Sequence, residues 1–354
     1  MVDISSVRLG IVGLGNIGQH HADRFSEKGA NVVGGVDISE SARESFSEEF
    51  GVSAYEDHQE LYERVDAVVV TTPNKFHEQY VVDALDAGLD VLVEKPLANT
   101  LEAAERIADA ARNADGFCMV GFHTRFANPV EVITSHREAG RFGELSHVEA
   151  NYIRRRGIPG RGSWFTSKDV AGGGSLIDIG VHAVDLSLYL LDYPDVESVS
   201  GTTRSQFGDR EDYTYVNMWG EDQGAENFDV DDSATAFIRC ADDRTISLEV
   251  AWATNRPSKQ EYVLRGDEAG ATFRPHEGLT LHESGSEGTG HMVDSDIETA
   301  ENDPHSDEQT YFLEHSARGE TPERNTVEQG LTVQRVLDAI YRSSERGEAV
   351  SLDD

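Results

Sequence analysis

The first third of the chain alternates short apolar runs with longer amphipathic stretches. Residues 7–12, 31–36, 66–71, 90–94 and 117–121 are apolar almost throughout, which predicts strands covered on both faces. Between them, 16–28, 39–50, 74–87 and 100–113 carry apolar residues at helical spacing, with Ser39 as an N-cap. This βαβα order predicts a parallel sheet flanked by helices. After about residue 123 the rhythm changes: one helix over 129–139 is followed by period-two alternation at 145–153, 235–239 and 245–252. Such strands predict an antiparallel sheet with one covered face. Gly172, Gly173 and Gly174 precede an apolar helix over 176–191, and a last helix, capped by Thr326, runs over 326–345. The predicted fold class is α/β, divided into 1–122 and 123–354, with the last helix free to pack back on the first domain. Residues 221–232 and 284–307 are acidic and poor in apolar side chains, and are expected to be surface loops.

At 354 residues the chain is long enough for about two domains at roughly 150 residues each. Its formal charge of −36 opposes nucleic-acid binding, which draws its affinity from cations that neutralise phosphate. Only five of the 30 basic residues are lysines. An acid-rich, lysine-poor composition predicts a halophilic protein, because screening over about 3 Å at 1 M salt removes self-repulsion. Cys118 and Cys240 are too few for a disulfide framework and have no metal-ligand spacing, so no metal site is expected and a reducing cytoplasm fits. No apolar leader precedes Arg8 and no run of about 18 apolar residues occurs, so neither secretion nor membrane insertion is expected.

Chemistry is concentrated at three places. Gly13, Gly15 and Gly18 fill G-x-G-x-x-G between a predicted strand and a predicted helix. There the first glycine permits a tight turn, the second lets a pyrophosphate approach the backbone, and the third lets helix and strand pack closely. Asp37 ends the second strand 19 residues beyond Gly18, where a carboxylate favours free ribose hydroxyls and repels a 2′-phosphate. NAD is therefore favoured, with NADP left open by Arg43 nearby. Lys95 follows a predicted central strand, at the sheet edge where open α/β sheets bind ligands. Asp178 and His182 stand four apart in the helix after the glycines, one turn from each other. Oxidising a carbinol requires removal of its hydroxyl proton; imidazole suits that task, Asp178 can orient or share the proton, and Lys95 can stabilise alkoxide character.

G-L-G-N-I-G, Thr72-Pro73-Asn74 with His77, Glu94-Lys95-Pro96 and G-G-G-S-L-I-D-I-G-V-H together resemble the glucose-fructose oxidoreductase and inositol dehydrogenase (Gfo/Idh/MocA) family over essentially the whole chain. The resemblance implies an N-terminal Rossmann domain and a C-terminal α/β domain whose large, mainly antiparallel sheet serves homo-oligomer contacts in a dimer or tetramer. It implies Lys95, Asp178 and His182 as catalytic residues, His182 as base. Gly13, Gly15, Asn16, Ile17, Gly18, Asp37, Thr72, Pro73, Asn74, His77, Glu94, Lys95 and Pro96 would serve the cofactor, the Lys95–Pro96 peptide being cis. Arg125 and Trp164 fall where relatives have cleft residues. The implied activity is NAD-dependent oxidation of a sugar, inositol or related polyol. Two alternatives within the family are glycoside cleavage through transient oxidation and a cofactor-binding sensor without catalysis.

Overall fold

The computed structural model describes residues 2–214, 220–275 and 277–352. The chain divides into two compact units, 1–123 with 305–334 and 124–304 with 335–354.

In the first unit β1 (Arg8–Val12), β2 (Asn31–Val36), β3 (Ser53–Tyr55), β4 (Ala67–Val70), β5 (Asp90–Val93) and β6 (Cys118–Val120) form one parallel sheet. Its order is 3-2-1-4-5-6, the Rossmann order. Every residue of β4 is buried, as expected of a strand covered on both faces. Helices α1 (Asn16–Glu27), α2 (Glu40–Phe50), α3 (His58–Tyr62), α4 (His77–Asp86) and α5 (Leu101–Asn113) connect the strands. Ser39 and Thr100 cap α2 and α5 by accepting from Ala42 N and Ala103 N.

The second unit holds a nine-stranded sheet built from β7 (Leu145–Ile153), β8 (Val196–Arg204), β9 (Ser233–Cys240), β10 (Thr245–Ala251), β11 (Lys259–Gly266), β12 (Ala269–Arg274), β13 (Gly278–Gly285), β14 (His291–Ile297) and β15 (Val350–Ser351). All pairings are antiparallel except β7 with β10. Alternate residues of β9, namely Ala234, Ala236, Ile238 and Cys240, are buried, which is the one-covered-face pattern of its sequence. Helices α6 (Asn128–Glu138), α7 (Lys168–Ala171) and α8 (Val181–Leu190) belong to this unit, and α8 packs on β7 and β10.

Two further helices, α9 (Pro304–Arg318) and α10 (Val327–Arg346), follow the large sheet. Phe312 and Leu313 of α9 join Phe117 and Met119 in the core of the first unit, so residues 305–334 belong with it. The boundary between the units falls after residue 123, and what differs from the reading of the sequence is residues 305–334: the chain returns to the first unit through a helix whose mixed polarity concealed it. The return of the last helix is partial, since α10 runs on across the division between Gln334 and Arg335. Thr326 and Gln329 cap it reciprocally, each side-chain oxygen accepting from the other's backbone N–H.

The acidic stretch 284–307 is not a loop as expected. It completes β13, forms β14 and begins α9. β14 is an edge strand with no buried residue, so nothing in its composition had to be apolar, and charge on an edge strand discourages stray pairing. The stretch 221–232 forms no strand or helix, yet its last residues, Val230, Asp231 and Asp232, are buried. Among the described residues no helix is long and apolar enough to cross a membrane.

Candidate active site

One candidate group of residues lies at the carboxyl edge of the parallel sheet. Gly13 has φ +95° and a Cβ there would come within 2.9 Å of Thr72 N. A Cβ on Gly18 would overlap the Gly13 carbonyl oxygen, so only glycine lets α1 start this close to the turn. Gly15 is the opposite case: a Cβ on it would meet nothing within 4 Å, and Gly15, Asn16 and Ile17 are exposed. Open space over the N–H groups that begin α1 suits an approaching pyrophosphate. Asp37 holds this loop, its Oδ2 accepting from Leu14 N at 2.8 Å and its Oδ1 from Ser39 N at 2.8 Å. Arg43 donates to the Asp37 carbonyl at 2.7 Å.

Thr72, Pro73 and Asn74 follow β4, and Glu94, Lys95 and Pro96 follow β5. Among the described residues Thr72 Oγ1 is buried without a hydrogen-bond partner, an orphaned polar atom beside the glycine turn. The Lys95–Pro96 peptide is cis. Glu94 Oε1 lies 2.7 Å from His21 Nε2, and His21 Nδ1 lies 2.7 Å from Gln309 Nε2, so α1 and α9 both brace the end of β5. Burial opposes ionisation of Glu94. The hydrogen bond from His21 and the charges of His21, Lys95 and His305 outweigh it, and hold the carboxyl well below the usual carboxylate range.

His77 is a correction. Expected to serve the cofactor, it is fully buried, with Nε2 at 2.8 Å from the Thr72 carbonyl and Nδ1 at 3.0 Å from that of Pro96. Burial pushes its imidazole below the ordinary value against the pull of those carbonyls. It ties the two turns together from beneath and offers no surface to a ligand.

A second candidate group lies within the other unit. Gly172, at φ +87°, ends α7, and Leu176–Gly180 forms a single π-helical turn before α8. Such turns recur at functional sites. Asp178 sits in that turn and His182 in the first turn of α8. The Asp178 carboxylate accepts from Trp252 Nε1 at 2.9 Å and from Arg154 Nη1 at 3.5 Å. Trp252 is fully buried at the end of β10, so it fixes the carboxylate through a rigid partner.

Arg125 is the second correction. It was expected in a cleft, but it is fully buried, donating to both oxygens of Asp185 at 3.1 and 2.5 Å and to the Tyr193 hydroxyl. Its guanidinium also lies over the rings of Tyr189 and Tyr193. In a position this dry a guanidinium is retained only by such pairing, which leaves it no reach toward a substrate. Trp164 is half-buried, stacked on Phe165 at 3.7 Å between centroids, and lines an open concavity with Ser163, Glu226 and Asp229. His21 and Gln309, and Asp231 and Tyr341 described below, escape a reading of local pattern, because each meets its partner across a long stretch of chain.

Two family models match the chain: "Oxidoreductase family, NAD-binding Rossmann fold" over residues 7–122 and "GFO/IDH/MocA C-terminal domain" over 133–272. The D-glucoside 3-dehydrogenase of Escherichia coli (strain K12) is 31% identical, over 98% of this chain and 98% of its own length. The D-xylose 1-dehydrogenase (NADP(+)) 2 of Haloferax volcanii is 27% identical over 98% of both. A solved levoglucosan dehydrogenase in complex with NADH and levoglucosan superposes with a TM-score of 0.82 at 20% identity, covering 98% of this chain and 100% of that one.

Proposed function

Because the chain belongs to the GFO/IDH/MocA family of oxidoreductases, we propose that it is an NAD-dependent dehydrogenase oxidising a secondary hydroxyl of a glucoside or related cyclic sugar, with His182 as base. The observation that carries this reading is the fixed Asp178 carboxylate, clamped by the Trp252 indole N–H one helical turn before His182. A binding protein without chemistry has no need of a preset carboxylate beside an imidazole. The full-length likeness to a D-glucoside 3-dehydrogenase supports the substrate class.

Gly13 to Gly18, Asp37 and Thr72 would hold the dinucleotide, which when bound supplies the acceptor for the hydride leaving the sugar carbon. The exposed Gly15 loop and the unpartnered Thr72 hydroxyl fit that group. His182 takes the hydroxyl proton on an imidazole nitrogen. The Asp178 carboxylate, held by the Trp252 and Arg154 donors, favours the imidazolium so formed. The Lys95 ammonium stabilises negative charge developing on the sugar oxygen. The Asp37 carboxylate, which would repel a 2′-phosphate, favours NAD over NADP. The charge of −36 supports work in concentrated salt.

The test is NADH formation in concentrated KCl across methyl glucosides, levoglucosan, inositols and aldoses. Turnover on a glucoside, lowered about a hundredfold or more in Lys95→Ala and in His182→Ala, is expected of groups acting in the transition state. Sugar cleavage without net NADH would replace simple oxidation by the hydride-returning reaction.

A further inference from the structure

We propose that Asp231 and Tyr341 form a buried clamp that positions Asp178 and His182, a role that rests on reading those two as the proton-handling pair. Asp231 Oδ1 accepts from Gly174 N at 2.9 Å and from the Tyr341 hydroxyl at 2.6 Å. Its Oδ2 accepts from the Ser175 hydroxyl at 2.7 Å and from Leu176 N at 2.9 Å. Its backbone carbonyl accepts from Ser175 N at 3.0 Å. A carboxylate has about four acceptor sites, and here four donors occupy them, which leaves this buried side chain nothing to offer a ligand.

What the clamp holds is the turn that launches the π-helical segment. Leu176, whose N–H is bound by Asp231, is the first residue of that segment, and Asp178 N donates to the Gly174 carbonyl at 2.9 Å. A shift of Gly174 to Leu176 therefore moves Asp178 directly, and a misplacement of about 1 Å in a reacting group is costly. The glycines follow from the same device. A Cβ on Gly173 would overlap the Tyr341 hydroxyl, and one on Gly174 would overlap the Asp231 carbonyl oxygen. The Gly-Gly-Gly run thus admits two anchoring groups to the turn. Burial and the Asp231 charge push the Tyr341 phenol well above its ordinary value, so it remains a donor at any working pH. The neighbouring Asp232 performs a parallel task, its Oδ2 accepting from the N–H groups of Gln206, Phe207 and Gly208.

The experiment compares full-length wild type, Tyr341→Phe and Asp231→Asn by amide exchange, by the ring spectrum of His182 in 15N-histidine-labelled protein, and by turnover of methyl β-D-glucopyranoside with NAD. In Tyr341→Phe, amides 173–176 should exchange about tenfold faster and kcat should fall about tenfold, the worth of one hydrogen bond to a charged group. The KM for NAD should stay unchanged and the His182 ring signals should shift. Asp231→Asn should do more, because its amide NH₂ faces bound donors. Faster exchange with an unmoved His182 spectrum and kcat within twofold of wild type would make the pair merely structural and overturn the proposal, as would unchanged exchange in Tyr341→Phe. If the ring signals move as expected but His182→Ala turns over normally, the clamp stands and the role of His182 as base falls.

Discussion

The two candidate groups of residues, one in each unit, are built by different means. In the first unit, the glycine turn, the Asp37 carboxylate and the Thr72 and Lys95 turns each sit at the end of a strand that places them, and the parallel sheet brings those ends to one edge. In the second unit, Asp178 sits on a π turn and His182 in the helical turn that follows it, and the π turn is held by partners distant in the chain, Trp252, Asp231 and Tyr341. A cradle made from strand ends is fixed by the topology itself. Asp178 and His182, proposed as the proton-handling pair, need separate anchors, and those anchors are where the second group can be broken without touching the first.

The sharpest way to break the contrast is Gly174→Ala. The added methyl must displace the Asp231 backbone, so destabilisation of about 3 kcal/mol is expected, at the upper end for overpacking. Gly173→Ala should cost less, and part of its cost should vanish in the Tyr341→Phe background, with a coupling of about 1 kcal/mol. Urea unfolding of the single and double variants measures both. Strict additivity of Gly173→Ala with Tyr341→Phe would mean that the hydroxyl does not explain that glycine.

This contrast also explains what was legible in the sequence. Five of the six strands of the Rossmann sheet and the glycine turn after the first could be read from local pattern, because a doubly covered strand is apolar throughout and a phosphate turn is a contiguous motif. Asp178 and His182 could be singled out by spacing, but not the π turn that carries Asp178. Asp231 was lost in an acidic stretch whose composition says loop, although its carboxylate is buried and saturated. Arg125 failed for the reverse reason: composition cannot distinguish a guanidinium paired inside the fold from one facing a cleft. The edge strand β14 and the returning helix α9 carry no clear periodicity, since one buries nothing and the other is mixed in polarity.

A smaller effect is expected in the first group. Asp37→Ser removes acceptors for Leu14 N and Ser39 N and a charge beside the ribose position, so NAD affinity should fall about tenfold and preference over NADP should narrow. Titration calorimetry with both dinucleotides measures this; an unchanged preference would move selectivity to another residue.

The smallest effect concerns acid. Glu94 has a folded pKa held below its unfolded value, so its ionised form contributes stability that is complete above the ordinary carboxylate range and is lost as pH falls through the lower, folded value. Glu94→Gln should therefore lose less stability than wild type on acidification from about pH 5, near the unfolded carboxylate range. Parallel melting curves of the two proteins would reveal it, and identical acid dependence would deny Glu94 its charge-stabilised state.

The most direct measurement is His182→Ala, assayed for NADH formation on a glucoside and for NAD affinity in the same preparation. Turnover should fall about a hundredfold or more while the dissociation constant for NAD holds within about twofold, since the cradle and the proton pair belong to separate units. Wild-type turnover in this variant would remove His182 as the base, and with it the assignment of proton chemistry to the second unit.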